Sequence, residues 1–523
     1  MVSPQESSPS SDHPAGALKS KRGIVRNTAI NLISRVILLP IGLLVIPVIL
    51  RGMGTDRFGI FSLTWVLLNY FAILDFGLSQ AATKFIAAEL NKGDSRLIPG
   101  LFWTSSLIMV GIGMVLTLGA VLISPWLVNQ VLRPPQELVL ESIRMFQFLA
   151  VSIPFVFLNN SLRGTLEAAQ RFDLANAVRT PYSALIYLSP LLGYVIGFQI
   201  DKLVVLSLII VILANLVYFF MCAQVYPNLF GGIKFQAPLV RSLLSFSGWV
   251  AVTNIISPVL YYLDRFLISG ILTVSLLAYY TVPYEALTRL WLIPMSVTTA
   301  LFPVFSRDTM EIDQSRDMNK ILLYAVKYIL LILGPITVFV FIYPKEILSL
   351  WIDPAFAEIS FIVTQFLAVG ILINSLGRLP GTLFLGRGHP HIPAKLRILE
   401  LLIYLPITVI CLKKWGINGA AFAWMIRAAA DTLLLFIISI KHKDIKLEMK
   451  DEHLLAATLS LIGLFIAAWL LKFISSDLSW ILQSAIFLVP LSLFAGFAWI
   501  KIFDESERLY FKNFITRLIP QRK

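Results

Sequence analysis

Long apolar runs recur along nearly the whole chain, and they restrict its fold more than any other feature of the sequence. A helix that crosses a bilayer needs roughly 20 mostly apolar residues. On this criterion the pattern predicts an all-α polytopic membrane protein with about 14 transmembrane helices and short loops. Numbered in chain order, the predicted spans are 24–50, 58–86, 98–124, 142–163, 174–198, 202–224, 244–270, 275–303, 321–343, 358–379, 393–412, 416–440, 454–474 and 480–501.

Composition supports a membrane location and narrows the range of partners. The 523 residues are 57% hydrophobic and 14% charged, whereas a soluble domain carries about 25% charged residues. In a membrane protein the net charge of +13 indicates basic cytoplasmic loops, so no nucleic-acid partner is expected. Cys222 and Cys411 both lie in apolar runs and are expected to be buried thiols.

Lysine and arginine are distributed unequally between alternate loops. One set of loops carries more than twice as many as the other, and the richer set lies on the cytoplasmic side. Both termini are therefore predicted to be cytoplasmic, which requires an even number of spans. The location expected for such a multi-pass chain is the cytoplasmic membrane.

A short motif recurs at a nearly constant distance along the chain. The Gly-Thr-Leu sequence at 164–166, after span 4, recurs at 381–383 after span 10, and Gly197 before span 6 matches Gly416 before span 12. The offset stays at 217 to 219 residues, which is unlike a set of chance matches. The repeat predicts two parallel six-helix lobes related by an axis along the membrane normal, with a substrate site between them.

The repeat divides the chain into five predicted parts. The N-lobe takes 23–230 and the C-lobe 231–445, while spans 13 and 14 occupy 446–501 outside the repeat. Residues 1–22 are rich in Ser and Pro and predict a disordered cytoplasmic tail without the apolar core of a signal peptide. The basic tail at 502–523 is expected either to lie on the membrane as an amphipathic helix or to fray.

The stretch 50–90 indicates a polar interior. A Gly-rich loop at 51–59 leads into an apolar run that contains the carboxylate of Asp75. An ionisable group at that depth faces a protein interior or a watery cavity. Arg35 lies on a polar face of span 1. Asp75 and Arg35 therefore either line a cavity or pair with each other and hold two helices together.

Two further charge pairs lie inside predicted spans. Glu285 and Arg289 in span 8, and Arg427 and Asp431 in span 12, are each four residues apart, so both members of a pair share one helix face. Each pair is either structural or directed at a substrate. The Asp-Arg pair at 264–265, near the outer end of span 7, is as readily explained by the membrane interface.

Four arginines cluster near the predicted cytoplasmic ends of spans 4, 5, 10 and 11. They are Arg163, Arg179, Arg378 and Arg397. Arginine at this level serves either as a positive-inside anchor or as a basic mouth for a phosphate-bearing lipid, because its planar fork matches phosphate oxygens.

Several chemical signatures are missing from the sequence. There is no phosphate loop of the G-x-x-x-x-G-K-[ST] type, and the five histidines lie in tails or loops rather than in a cluster with cysteine. No cofactor and no metal site are expected. The loops are too short to hold an extracytoplasmic catalytic domain, so the chain is not expected to be an enzyme.

Six short motifs follow one another along the chain in a recognisable order and spacing. They are Arg51-x-x-Gly54-x-x-x-Phe58-Gly59-Ile60-Phe61-Ser62-Leu63, Asp75-Phe76-Gly77-Leu78, Ala88-Glu89, Gln170-Arg171-Phe172, Asp264-Arg265-Phe266 and Gly386-Arg387-Gly388-His389-Pro390. Through these motifs the chain resembles, over roughly 20–445, the polysaccharide-biosynthesis transporters, the O-antigen-type flippases of the multidrug/oligosaccharidyl-lipid/polysaccharide superfamily. The two spans beyond twelve resemble the lipid II flippase arrangement.

The resemblance implies a flippase that moves a polyprenyl-diphosphate-linked oligosaccharide across the bacterial inner membrane by alternating access. Its implied partners are this lipid-linked oligosaccharide, membrane lipids, and the polymerase and chain-length machinery of polysaccharide assembly. A cationic central cavity is implied at Arg35, Arg289 and Arg427. Asp75 is the residue expected to bind a coupling ion, H⁺ or Na⁺. The alternatives are a cation-coupled multidrug exporter of the related extrusion family and a membrane glycan polymerase or ligase.

Overall fold

A computed structural model shows the chain folded into α-helices. No strand occurs among the residues it describes, which confirms the all-α class. The described residues are 38–74, 76–91, 97–230, 232–233, 235–305, 312–442, 452–475, 478–505 and 507–509.

Seven α-helices make up the described part of the first half of the chain. A π-helical turn at Leu127–Leu132 extends the third of them. The helices are α1 Leu38–Ile73, α2 Leu78–Asn91, α3 Ile98–Trp126, α4 Gln136–Val151, α5 Ile153–Ala168, α6 Phe172–Val195 and α7 Ile200–Val225.

The second half and the two C-terminal helices follow the same pattern over the described residues. A 3₁₀ turn at Arg289–Trp291 joins α9 to α10, and a π-helical turn at Ala498–Ile502 extends α16. The helices are α8 Ala237–Ile271, α9 Val274–Thr288, α10 Leu292–Phe305, α11 Ile312–Ile342, α12 Pro344–Trp351, α13 Pro354–Gly386, α14 His391–Lys441, α15 Glu452–Ile474 and α16 Trp480–Phe497.

Each of the fourteen predicted spans overlaps one or more of these helices, and span 1 does so over its described part, from Leu38 onward. By length and composition, seven helices of the described chain are sufficient to cross a membrane. Spans 2, 4 and 8, however, were predicted as continuous and are each broken into two helices. Pro154 and Pro294 lie one turn beyond two of these breaks, and a proline removes the backbone donor that an uninterrupted helix needs.

The Gly-rich loop predicted at 51–59 is much shorter than expected. Helix α1 continues through it, and Gly54 is the residue with non-helical dihedrals, φ 79° and ψ 167°. Gly416 redirects α14 in the same manner, with φ 59° and ψ −142°. Side chains disfavour positive φ, so a single glycine redirects the chain between spans 1 and 2 and between spans 11 and 12.

Equivalent turns of the predicted repeat share a backbone conformation. Gly197 and Gly416 both have positive φ, as do Gln170 and Gly388, and the members of each pair are 219 and 218 residues apart. These distances match the offset of the sequence repeat. The limits of the two lobes remain predictions. The predicted tail 1–22, the first part of span 1 up to residue 37, and residues 510–523 of the C-terminal tail lie outside the described residues.

Helices α15 and α16 are fastened to α11 and α12 by polar contacts. Lys472 Nζ lies 2.7 Å from Glu346 Oε1 and donates to the carbonyl of Ile342 at 2.6 Å. Beyond α16, Glu507 Oε1 lies 2.8 Å from Nζ of Lys327, whose side chain is 1% exposed. The segment predicted as the start of a basic tail is therefore anchored through an acidic residue.

We expect Gly416→Ala to lower the stability of the folded protein by about 1 kcal/mol or more, because alanine is strained at positive φ. Thermal unfolding followed by size-exclusion chromatography in detergent measures the change.

Gly463→Ala is the matched control for this substitution. An added Cβ meets nothing within 4 Å at either Gly463 or Gly416, but only Gly416 of the two has positive φ. Equal melting temperatures for the two variants would contradict a conformational role for Gly416.

Candidate functional site

A cavity of about 420 Å³ lies where α1, α5, α6 and α7 of the first half meet α9, α10 and the 3₁₀ turn between them in the second half. Its walls combine aromatic rings, amides and arginines. The lining residues are Trp65, Leu68, Asn69, Ala72, Asn159, Arg163, Arg179, Tyr182, Ser183, Ile186, Tyr187, Tyr218, Thr288, Arg289, Trp291, Leu292 and Met295.

Irregular backbone shapes this cavity from both sides. On the first-half side α1 ends at Ile73, and the side-chain amide of Asn160 donates to the freed carbonyl of Ala72 at 2.8 Å. On the other side the 3₁₀ turn carries Arg289 and Trp291, both of which line the cavity. Broken helices are tolerated in a membrane protein where they are satisfied internally or line a cavity.

Three arginines give the cavity its charge. Arg163 and Arg179 come from the first half and Arg289 from the second, and none of the lining residues, all within the described chain, is acidic. Arg163 is held from behind by Glu167 at 3.5 Å. The predicted phosphate contacts Arg163 and Arg179 are thus brought together with the predicted cavity residue Arg289.

Several donors in these walls are buried without a hydrogen-bond partner. They include Nε of Arg163 and Nη2 of Arg289, together with the indole Nε1 of Trp65 and the amide Nδ2 of Asn159. An unmade hydrogen bond at a buried donor costs about 1–3 kcal/mol. The cavity is therefore suited to an anion with several acceptor oxygens.

Aromatic rings hold the guanidinium groups of this region in place. Arg289 lies 4.8 Å from the ring centroid of Tyr187, a residue of the first half. Trp291 has Arg378 at 4.6 Å from its ring centroid, and Tyr187 in turn packs against Trp65 at 5.9 Å. Cation–π contacts of this kind fix a charge without neutralising it.

Glu285 lies behind Arg289 rather than in the cavity wall. Its carboxylate is 3.9 Å from Arg289 Nη2, as the four-residue spacing predicts, but it is closer to Arg265, at 3.2 Å. Arg265 and Asp264 are 0% exposed, so the interfacial interpretation of this pair is wrong. Helix α8 ends at Ile271, one residue beyond the predicted end of span 7.

A second charged cluster lies among α8, α13 and α14. Arg427 makes its ion pair with Glu400 at 3.5 Å, whereas the sequence spacing predicted Asp431 as its partner. Asp431 lies near both of these residues, and Arg397 interacts with Asp431 and with Tyr261. Glu400 is the residue of this cluster that the sequence analysis missed.

The second cluster does not line the cavity. Arg427 is 7% exposed and packs on the rings of Tyr404 and Trp424 at 5.4 and 5.6 Å. The cavity role implied for Arg427 is therefore not met in this conformation. Arg378 reaches the cavity indirectly, through Trp291. Arg35 and Asp75 lie outside the described residues, so both predictions for them, that they line the cavity or that they pair with each other, stay predictions.

The two halves touch at one end of the molecule, around the Gly54 turn and the start of α9. Trp351 Nε1 donates to the carbonyl of Leu43 at 2.8 Å, and Ser275 donates to the carboxylate of Asp56. The backbones come so close that a Cβ at Gly59 would lie 2.1 Å from the carbonyl oxygen of Val274. We name this contact the closed end.

The helical fold, with a polar cavity between its halves and one closed end, defines a membrane transporter. The chain belongs to the polysaccharide biosynthesis protein family, whose profile matches residues 24–308, and this confirms the family resemblance seen in the sequence. The chain is 27% identical over 418 residues to a putative O-antigen transporter of Shigella flexneri, which covers 79% of this chain and 96% of the relative.

Two solved structures show the same fold. The lipid II flippase MurJ in an inward closed conformation has a TM-score of 0.67 at 16% identity and covers 94% of this chain and 100% of its own. An inward-facing multidrug resistance MATE family transporter of the MOP superfamily has a TM-score of 0.63 at 14% identity, with 78% and 96% covered. The wider coverage by MurJ agrees with the likeness expected for the last two spans.

We expect Gly59→Ala to loosen the closed end, because its methyl group would press on a backbone carbonyl that cannot move aside as a side chain does. Overpacking of this kind costs on the order of 2 kcal/mol. Disulfide crosslinking of an Asp56→Cys, Ser275→Cys pair reports the contact, and its yield should fall severalfold.

Gly111→Ala serves as the control, since an added Cβ there meets nothing within 4 Å. The native cysteines Cys222 and Cys411 are free and buried, so background crosslinking is small. An undiminished yield in Gly59→Ala would show that the close approach does not hold this end together.

Proposed function

We propose that this protein is a flippase that moves a polyprenyl-diphosphate-linked oligosaccharide from the cytoplasmic to the outer leaflet. The observation that carries this proposal is the cavity with three arginines and no acidic lining residue. The family and the name of the Shigella relative support the same class of cargo.

The chemistry of the cargo fits the walls of the cavity. A diphosphate offers several anionic oxygens, and arginine binds such oxygens with a planar fork of donors. Arg163, Arg179 and Arg289 are the proposed diphosphate contacts, because all three line the cavity. The rings of Trp65 and Tyr182 offer flat apolar surfaces with polar edges to the sugars.

Alternating access requires that one end of the cavity be closed while the other admits substrate. The closed end lies at the turns between spans 1 and 2 and between spans 7 and 8. With both termini in the cytoplasm, as the lysine and arginine distribution predicts, this is the extracytoplasmic end. In this assignment the cavity loads from the cytoplasmic side of the bacterial inner membrane.

The remaining features of the mechanism are proposed from the sequence. Two parallel lobes would rock about the cavity, and movement would be coupled to H⁺ or Na⁺, with Asp75 as the binding residue. Partners would include the polymerase and the chain-length machinery. We propose no catalytic residue, since the relatives that the chain resembles are named as transporters.

A multidrug exporter shares the fold but not the expected charge. Three arginines without a lining carboxylate would repel a cationic drug, and such drugs are the cargo expected of the related extrusion family. The likeness to a MATE transporter at 14% identity bears on the fold alone. A flippase is therefore the function that the cavity favours.

We expect Arg289→Gln or Arg163→Gln to weaken binding of a polyprenyl diphosphate about tenfold or more, since a hydrogen bond to a charged group contributes about 1.5–3 kcal/mol. Translocation of a labelled polyprenyl-diphosphate oligosaccharide in proteoliposomes should fall in parallel.

Arg144→Gln is the matched control, because Arg144 is an exposed arginine of the first half, like Arg163, but does not line the cavity. Wild-type translocation by both cavity variants would reject the proposed diphosphate site, and equal loss in the control would show a nonspecific effect of charge.

We expect a cysteine at Ser479 to react with a membrane-impermeant maleimide in intact cells, and a cysteine at the exposed His391 to react only after the membrane is opened. This follows from the proposed orientation, in which the turn before α16 is extracytoplasmic. The reverse labelling pattern would invert the orientation. A Gly463→Cys variant within α15 is the unreactive control.

A further inference from the structure

Arg289 differs from the other two arginines of the cavity in how it is held. It is the cavity arginine contributed by the second half, and its side chain is 18% exposed. Its guanidinium lies over the ring of Tyr187 from the first half and against Gly42 of α1, where an added Cβ would be 2.9 Å from Nη2. Arg289 therefore sits at the junction of the two halves.

The carboxylate behind Arg289 is anchored elsewhere. Glu285 Oε1 lies 3.2 Å from Nη2 of Arg265, while Glu285 Oε2 lies 3.9 Å from Nη2 of Arg289. The first distance is that of a hydrogen bond, and the second is that of a looser ion pair. Nη2 of Arg289 accordingly remains without a hydrogen-bond partner.

Arg265 is a permanent anchor because it has no route to solvent. Its side chain is 0% exposed, and its guanidinium lies 4.2 Å from the ring centroid of Tyr284 and 5.0 Å from that of Tyr262. It also donates to the carbonyl of Tyr261 at 3.1 Å. Removing the carboxylate partner of such a charge leaves it uncompensated, which is strongly unfavourable.

Glu285 therefore has two cationic neighbours, a fully buried one, Arg265, at hydrogen-bond distance and a partly exposed one, Arg289, in a looser ion pair. If an anion takes Arg289, Glu285 stays paired with Arg265 and does not become an isolated buried charge. If the anion leaves, the free carboxylate oxygen again attracts Arg289. The anion and Glu285 compete for the guanidinium of Arg289. The desolvation cost of this competition is small, because Glu285 stays paired with Arg265 throughout.

We propose that Glu285 is an internal competitor of the anionic cargo, a residue that limits the affinity of Arg289 for a diphosphate and so favours release. The inference rests on the proposed function, because it takes a polyprenyl diphosphate as the ligand of Arg289. Glu285 is a positioning residue in this account, since it acts on the cargo through Arg289 and does not line the cavity.

A carrier gains from such a residue for a general reason. An anion held by three arginines without carboxylate neighbours, in a site of low dielectric constant, would be bound strongly, and tight binding slows dissociation more than it speeds association. Arg163 has such a neighbour in Glu167, and Glu285 fixed beside Arg289 reduces the affinity further at every cycle without another ligand.

The test is binding of farnesyl diphosphate, a short polyprenyl diphosphate, to the full-length protein in nanodiscs at fixed ionic strength. Tryptophan fluorescence reports it, because Trp65 and Trp291 line the cavity. Glu285→Gln should bind about tenfold tighter, which is about 1.4 kcal/mol, and should release the ligand more slowly in stopped-flow dilution. Weaker or unchanged binding would overturn the inference.

Asp264→Asn is the matched control. Asp264 is a carboxylate of the same buried group that accepts hydrogen bonds from the backbone amide of Arg265 and the hydroxyl of Tyr280. Its charge interacts with Arg265 but not with Arg289. We expect its affinity to stay within about twofold of the wild type, a shift under about 0.5 kcal/mol. Tighter binding in Asp264→Asn as well would point to general loosening of the cluster and overturn the inference.

Two further variants separate the possible failures. If Glu285→Gln does not fold, Glu285→Asp still supplies a carboxylate for Arg265, but its shorter side chain reaches less far toward Arg289. Tighter binding is again the expected result, and unchanged or weaker binding would overturn the inference. Arg289→Gln tests the proposed function itself. Wild-type affinity in Arg289→Gln would reject the diphosphate site. Weakened binding in Arg289→Gln together with wild-type affinity in Glu285→Gln would reject only the role of Glu285 as a competitor.

Discussion

The ion pair between Arg265 and Glu285, 3.2 Å apart, is the contact on which the polar interior depends. A guanidinium without access to solvent needs an ionic partner, because the free-energy cost of desolvating the charge exceeds what uncharged neighbours in the protein interior can offset. The pair fixes α8 against α9, and through Glu285 it fixes the level at which Arg289 enters the cavity. The position of Arg289 in the cavity wall thus depends on a pair that does not itself line the cavity.

Irregular backbone is the second requirement of this interior. If α1 continued without a break, or if α9 and α10 formed one straight helix, every backbone carbonyl would be hydrogen-bonded within its own helix and none would face the cavity. The break after Ile73 and the 3₁₀ turn at Arg289–Trp291 instead turn polar groups inward. Asn160 then satisfies a carbonyl freed by the first break, so the irregularity is stabilised locally.

The sequence predicts the helical class and the positions of the spans because apolar length is a local property that bilayer thickness fixes. It also predicts the turns at Gly197 and Gly416, since glycine tolerates positive φ. The sequence does not predict which charged residues form ion pairs, because this depends on how the helices rotate against one another. Arg427 therefore forms its ion pair with Glu400 of the preceding span, while Asp431 on its own face lies near both. Trp291 was not predicted as a site residue because the prediction relied on charged residues.

The attachment of α15 and α16 has a mechanical consequence. The contacts of Lys472 and Glu507 bind this pair of helices to α11 and α12, and a cleft of about 540 Å³ separates them from α1 on the other side. Helices α15 and α16 are therefore attached to the second half. A tilt of one half against the other, as proposed above, would change the width of the cleft between α1 and α16.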